Sequence, residues 1–212
     1  QPPAEMSFRD LQVWRDCVEP FAYAERQHAP LLFLSSTNDF WGWMDLTSEM
    51  LARVPTEVVL GWTPQHSHHV SARFVPTFNA WFDSHLKVDA GRDWPPHPSL
   101  QFERVPPRGT KVFVVQDPPH DALVEHVEVF YSFGEWGESP PPVRHWRSLL
   151  MHKEEDDTWA GLLPVYETDR TIIAFATCHY QGGVSLSTFP VRWTAEGVWD
   201  VPLHREPMTP LE

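Results

Sequence analysis

One aspartate and three histidines stand where a chain could carry out proton-transfer chemistry. Asp39 follows the short apolar run Pro30-Leu31-Leu32-Phe33-Leu34-Ser35-Ser36, and His66, His68 and His69 follow the next such run, Thr56 to Trp62. A carboxylate can hold an imidazole in one tautomer, and that imidazole can take a proton from a hydroxyl. These are two of the three parts of a nucleophilic triad. The third part, a serine on a sharp strand-to-helix turn, is usually written G-x-S-x-G. No such string occurs. The nearest, Gly183-Val184-Ser185-Leu186-Ser187, lacks the second glycine and reads as part of a strand.

Other readings stand beside this one. An aspartate at a strand end also terminates strands and caps turns. His66, His68 and His69 could gather a metal with His28, Asp39 or Asp45, since protein metal sites need three or four convergent ligands. They could equally form a solvated loop. Phe40, Trp41 and Trp43 follow Asp39 directly and could wall an acyl or sugar pocket, or pack against another part of the fold. Asp45 reads as the cap of the helix that begins there.

These residues must be positioned by alternating elements. Residues 5–26 carry spaced apolar side chains and read as a helix ended near Pro20. The runs at 30–36 and 56–62 read as strands buried on both faces, as in a parallel sheet. Helices are expected over 45–54 and from 71–76 to Lys87, where Phe74, Phe78, Trp81, Phe82 and His85 share one face. Pro76 suits the first turn of the second of these. Beyond Gly91–Pro98 the helical period disappears. Short alternating stretches at 99–105, 111–116, 125–133, 146–151, 158–165, 171–180 and 184–193 predict an antiparallel β-sandwich. The tryptophans of this region (Trp136, Trp146, Trp159, Trp193 and Trp199) are expected to pack in its core or at its edges.

The segment Pro30 to Phe40 resembles the acid-bearing strand and turn of secreted bacterial α/β-hydrolases. The similar groups are the acetyl xylan esterase-like, prolyl-oligopeptidase-like and PhoPQ-activated pathogenicity-related families. Trp81-Phe82-Asp83-Ser84-His85-Leu86-Lys87 resembles their final helix, and the stretches Val127–Tyr131 and Arg144–Arg147 resemble a β-rich C-terminal region. The resemblance implies Asp39 as triad acid and His68 as triad histidine, with the serine and oxyanion hole upstream. The families commonly place Asn-His or Asp-His here, whereas this chain has Ser67-His68-His69, so His66 and His69 stay as alternatives.

The fold expected is α/β followed by all-β: the C-terminal portion of an α/β-hydrolase parallel sheet over 1–90, a linker at 91–98 and a sandwich over 99–212. The function expected is that of a serine-hydrolase fragment or subunit acting on carboxylic esters, including acetylated carbohydrate, without a cofactor. Its partner would be the upstream half of the same enzyme, and alone it would be inactive. The competing functions are a non-catalytic glycan- or protein-binding module and a metal-dependent hydrolase using the histidine loop.

Bulk properties narrow the partners. The chain has 212 residues and a formal charge of -13, from 29 acids against 16 bases. A surface of that sign repels phosphate backbones, so nucleic acid is excluded. No apolar run reaches the roughly 20 residues that span a bilayer. Gln1 to Glu5 lacks the basic and apolar regions of a signal peptide. Cys17 and Cys178 form no disulfide framework and decide no compartment. The resemblance implies a secreted or periplasmic protein.

Overall fold

The computed structural model describes residues 7–87, 94–95, 97–105, 109–116, 124–136, 143–155, 158–163, 171–194 and 197–200. Part of the expected 91–98 linker lies outside these, as does the N-terminal stretch before Ser7.

Two strands open the fold after a short exposed helix, α1 (Phe8–Cys17), which Ser7 caps by accepting the Asp10 N–H. Strands β1 (Leu31–Ser36) and β2 (Val58–Thr63) pair in parallel, Leu31 opposite Val58 through Ser36 opposite Thr63. Helices α2 (Met44–Leu51) and α3 (Val75–Leu86) follow β1 and β2 respectively. β2 is buried along its whole length, which is why its sequence is a continuous apolar run. At its centre Gly61 makes room for Leu34 of β1 and for Phe74, just before α3: a Cβ there would stand 2.5 Å from Leu34 Cδ2 and 2.7 Å from Phe74 Cε1.

The second edge of β2 is covered from far along the chain. β10 (Ser185–Ser187) pairs with it antiparallel, Ser187 opposite Leu60, and the Ser187 hydroxyl accepts the Trp62 N–H at 3.0 Å. β10 folds back on β9 (Ile172–Tyr180) through Gly182 and Gly183, both at φ near +85°, a region that favours glycine. β9 pairs along its other edge with β5 (Val124–Phe133). β6 (Arg147–Leu150), β11 (Val191–Thr194) and β12 (Gly197–Asp200) complete an eight-stranded sheet. A four-stranded antiparallel sheet packs against it, made of β3 (Pro98–Val105), β4 (Gly109–Gln116), β8 (Trp159–Leu163) and β7 (His152–Lys153).

The α/β-hydrolase parallel sheet expected from the sequence is not found among the described residues. β1 and β2 are the one parallel pair among the described strands, and they belong to the same mixed sheet as the sandwich strands. The chain is mostly β, with three α-helices described. An apolar run reports burial on both faces and says nothing about the direction of the neighbouring strand. A mixed sheet of this kind therefore reads as a parallel one.

The core lies on both faces of the large sheet. Val127, Val129 and Tyr131 of β5 and Ala174, Ala176, Cys178 and Tyr180 of β9 meet Leu100, Leu163 and Met151 on one side. Burial pushes the Cys178 thiol up to about 12, so it is inert as a nucleophile at neutral pH. On the other side Phe130, Ile173 and Phe175 pack with Trp62, Trp146 and Met44 of α2. Trp146 and Trp193 are buried, and Trp159 packs against the core. Trp136 packs against the second of these clusters and donates its indole N–H to Glu49 at 2.8 Å. The Trp199 side chain lies outside the described residues.

The face predicted for α3 is divided. Phe74 and Trp81 are buried, whereas Phe78 and Phe82 stand about half exposed, edge to face at 4.7 Å. With Leu32 and Leu34 of β1 they line an apolar groove of about 690 Å³. No helix among the described residues is long and apolar enough to cross a membrane.

Candidate functional site

The turns that follow β1 and β2 are tied together by their backbones. Thr37 N–H donates to Thr63 O and Asn38 N–H donates to His66 O, both at 3.0 Å. Gln65 sits at φ 64°, and its N–H donates to the Thr37 hydroxyl at 3.0 Å. The Ser36 hydroxyl donates to His69 O. Parallel pairing thus puts both turns at the same end of the strands, where loop side chains can converge.

Asp39 and His68 converge there. His68 Nδ1 lies 3.0 Å from both carboxylate oxygens of Asp39. The carboxylate is mostly buried, at 10% side-chain exposure, while the imidazole is 61% exposed. Asp39 Oδ1 also accepts the N–H groups of Trp41 at 2.8 Å and Gly42 at 3.2 Å. The turn-capping role and the histidine contact therefore coexist in one side chain. Burial raises the Asp39 carboxyl. The two backbone N–H groups, with the hydrogen bond and charge of His68, outweigh that and hold it below the usual carboxylate range. Asp39 is accordingly an anion at neutral pH. Its contribution to stability is present above the ordinary value of about 3.9 and is lost as pH falls through the lower folded value.

An acceptor at Nδ1 fixes the proton there and leaves the Nε2 lone pair on the exposed side of the ring. That is the tautomer a general base needs. His66 and His69 join the turn by their backbone carbonyls. Among the described residues, the imidazoles of His66, His68 and His69 do not gather with a carboxylate into a group of metal size.

Phe40 and Trp41 are exposed beside the pair. Phe40 lies 5.7 Å from the His68 ring and 5.5 Å from Trp41, tilted against both. Trp43 is half-buried, and its indole N–H donates to Phe40 O, which ties the turn. Met44, not these aromatics, enters the core. Ser185, in β10, is buried and donates its N–H to Thr77 Oγ1 at 2.8 Å.

The contacts that hold this turn in place come from the sandwich side of the chain. Asn38 exchanges two hydrogen bonds with the backbone of Arg144, at 3.0 and 3.1 Å. Gln65 Nε2 donates to Trp146 O at 2.7 Å. The Arg144 guanidinium forms a bidentate, buried pair with Asp45 at 2.6 and 2.7 Å, and donates to Glu135 O. Asp45 is therefore not the helix cap expected from the sequence. Trp43 occupies the cap position, and the Asp45 carboxylate anchors α2 to a segment 99 residues away. Nothing local in the sequence marks that partner.

No family model and no curated protein matches the chain. Solved structures similar to parts of it include the following two. A bromine derivative of BhCBM56 is 9% identical over 48% of this chain and 96% of its own, with a TM-score of 0.35. A structure described as a myokine is 17% identical over 48% of this chain and 97% of its own, with a TM-score of 0.37. At these scores the likenesses assign neither fold nor function.

Proposed function

We propose that this chain supplies the acid and the histidine of a serine hydrolase acting on carboxylic esters, a class that includes acetylated carbohydrate. The observation that carries the reading is the Asp39–His68 contact: a buried carboxylate 3.0 Å from Nδ1 of an exposed imidazole. In this scheme His68 Nε2 takes the proton of a serine hydroxyl as it attacks the ester carbonyl. It then returns that proton to the leaving alcohol, while Asp39 holds the ring and stabilises its charge. The serine and the oxyanion donors belong to an upstream half of the same enzyme, as a separate chain or a continuous one. Phe40 and Trp41, exposed beside His68, suit the wall of an acyl or sugar pocket.

The partner half has a place to dock. β1 pairs with β2 alone among the described strands, so its outer edge is available for strand addition. The apolar groove beside it offers side-chain pockets. The resemblance to exported hydrolases supports a secreted or periplasmic location for it.

The test is acetyl-ester turnover, using p-nitrophenyl acetate and acetylated xylan. The protein that includes the upstream half should release acetate from both, and residues 1–212 alone should not. Turnover by the isolated chain, or a complete protein without esterase activity, rejects the reading.

A further inference from the structure

Among the described residues, one group of three metal-capable side chains gathers, and it uses none of the residues of the Asp39–His68 pair: His126, Glu128 and His179. His126 and Glu128 sit two apart on β5, so they share a face of the sheet. His179 of β9 is paired in register with His126, while Glu128 faces Thr177. All three side chains therefore stand on the face that carries Phe130 and Phe175. One ligand-capable atom from each lies within 4.8 Å of the others.

The spacing and the hydrogen bonding both point to an ion between them. His179 Nε2 is 3.4 Å from Glu128 Oε2, longer than the roughly 2.7–2.9 Å of a charge-assisted hydrogen bond. It is also buried without a hydrogen-bond partner. Two ligands bound tetrahedrally to zinc at about 2.0–2.1 Å stand about 3.3–3.4 Å apart. The other nitrogen of the same ring, Nδ1, lies 3.0 Å from Ser185 Oγ, a contact of the kind that fixes the tautomer of a ligating histidine. His126 stacks on His179 with centroids 4.2 Å apart, and its ring must turn out of that stack to bring a nitrogen to the same ion. The Arg73 guanidinium stands nearby, held by Trp62 O at 3.0 Å and packed on the rings of Phe74 and Phe130. Its charge opposes a cation and limits the affinity.

We propose that His126, Glu128 and His179 form a binding site for a zinc-class divalent cation, with the fourth position open to water. Two imidazoles and one carboxylate around an open position are the composition of zinc sites that keep a solvent ligand.

The test is calorimetry of zinc(II) binding to the chelator-treated full chain, with cobalt(II) absorption as the report on tetrahedral geometry. One ion per chain is expected. Glu128→Gln and His126→Asn should each weaken binding by more than about 100-fold, and Ser185→Ala, which removes the partner of His179 Nδ1, by about 10-fold. Arg73→Met should tighten it. The double variant His66→Ala/His69→Ala should bind as the parent does. The site is refuted if the folded parent binds no zinc, if Glu128→Gln binds normally, or if the loss follows His66 and His69. Glu128 and His126 are partly exposed, so their variants decide the matter even where His179→Asn does not fold.

Discussion

On the proposed hydrolase reading, replacing Asp39 by Asn, or His68 by Ala, should lower kcat of the complete protein by about 10⁴-fold, roughly 5.4 kcal/mol of transition-state stabilisation. The two losses have different origins. Without His68 no group in this site takes the serine proton. In the Asp39→Asn variant the new amide can present its N–H₂ to Nδ1, which favours the proton on Nε2 and removes the lone pair that must face the serine. KM changes little in both, because neither side chain is asked to bind the resting substrate. The double variant should lose no more than the worse single variant, as expected of residues that act as one unit. His66→Ala and His69→Ala stay within about twofold of the parent, since their contribution to the turn is a backbone carbonyl. Steady-state kinetics on an acetyl ester reads all five variants. Retained turnover in Asp39→Asn or His68→Ala removes the assignment.

The second large effect falls on stability. Arg144→Ala strips the guanidinium from the Asp45 carboxylate, a pair whose side chains are 4% and 8% exposed. Breaking a buried pair by removing one partner costs about 3–5 kcal/mol, because the remaining charge stays desolvated. For a chain of this size that corresponds to a fall in Tm of roughly 6–20 °C. Arg144→Met combined with Asp45→Leu should recover most of the loss, since an apolar pair of similar volume removes the buried carboxylate along with the guanidinium. Thermal melts followed by circular dichroism distinguish the cases. A single variant within about 1 kcal/mol of the parent would show that the pair does not anchor α2 to the segment before β6. The same segment holds Asn38, next to Asp39. Loss of the anchor should therefore also loosen the acid turn and slow the esterase reaction.

Elements are legible in the sequence where their physics is local. β2 shows as an apolar run because it is buried along its whole length. β1 reads the same way but is only partly buried over its first four residues, where its leucines line the open groove. The sandwich strands show through alternation. Asp39 and His68 are visible because a parallel pair brings the turns after both strands to one end. The rest depends on contacts distant in sequence. β10 is only three residues long and reads Ser-Leu-Ser, so nothing announces that it covers β2 and joins both parts of the chain in one mixed sheet. Asp45 reads as a cap because an acid at a helix start usually is one; its partner Arg144 is found only in the folded chain. His126 and Glu128 do carry a signal, since a His-x-Glu spacing on a strand shares a face. The register that adds His179 is not readable. Phe78 and Phe82 carry the right helical period but face outward along the groove, and periodicity does not report whether a face is covered.

The central claim is that Asp39 and His68 activate a serine, and a fluorophosphonate probe tests it most directly. The purified material is treated with the probe and followed by intact and denaturing mass spectrometry. One label is expected on a serine of the upstream half, in a polypeptide that co-purifies with this chain or continues it, and no label when His68 is replaced by Ala. A folded, complete protein that takes no label, or one labelled equally fast without His68, would contradict the claim.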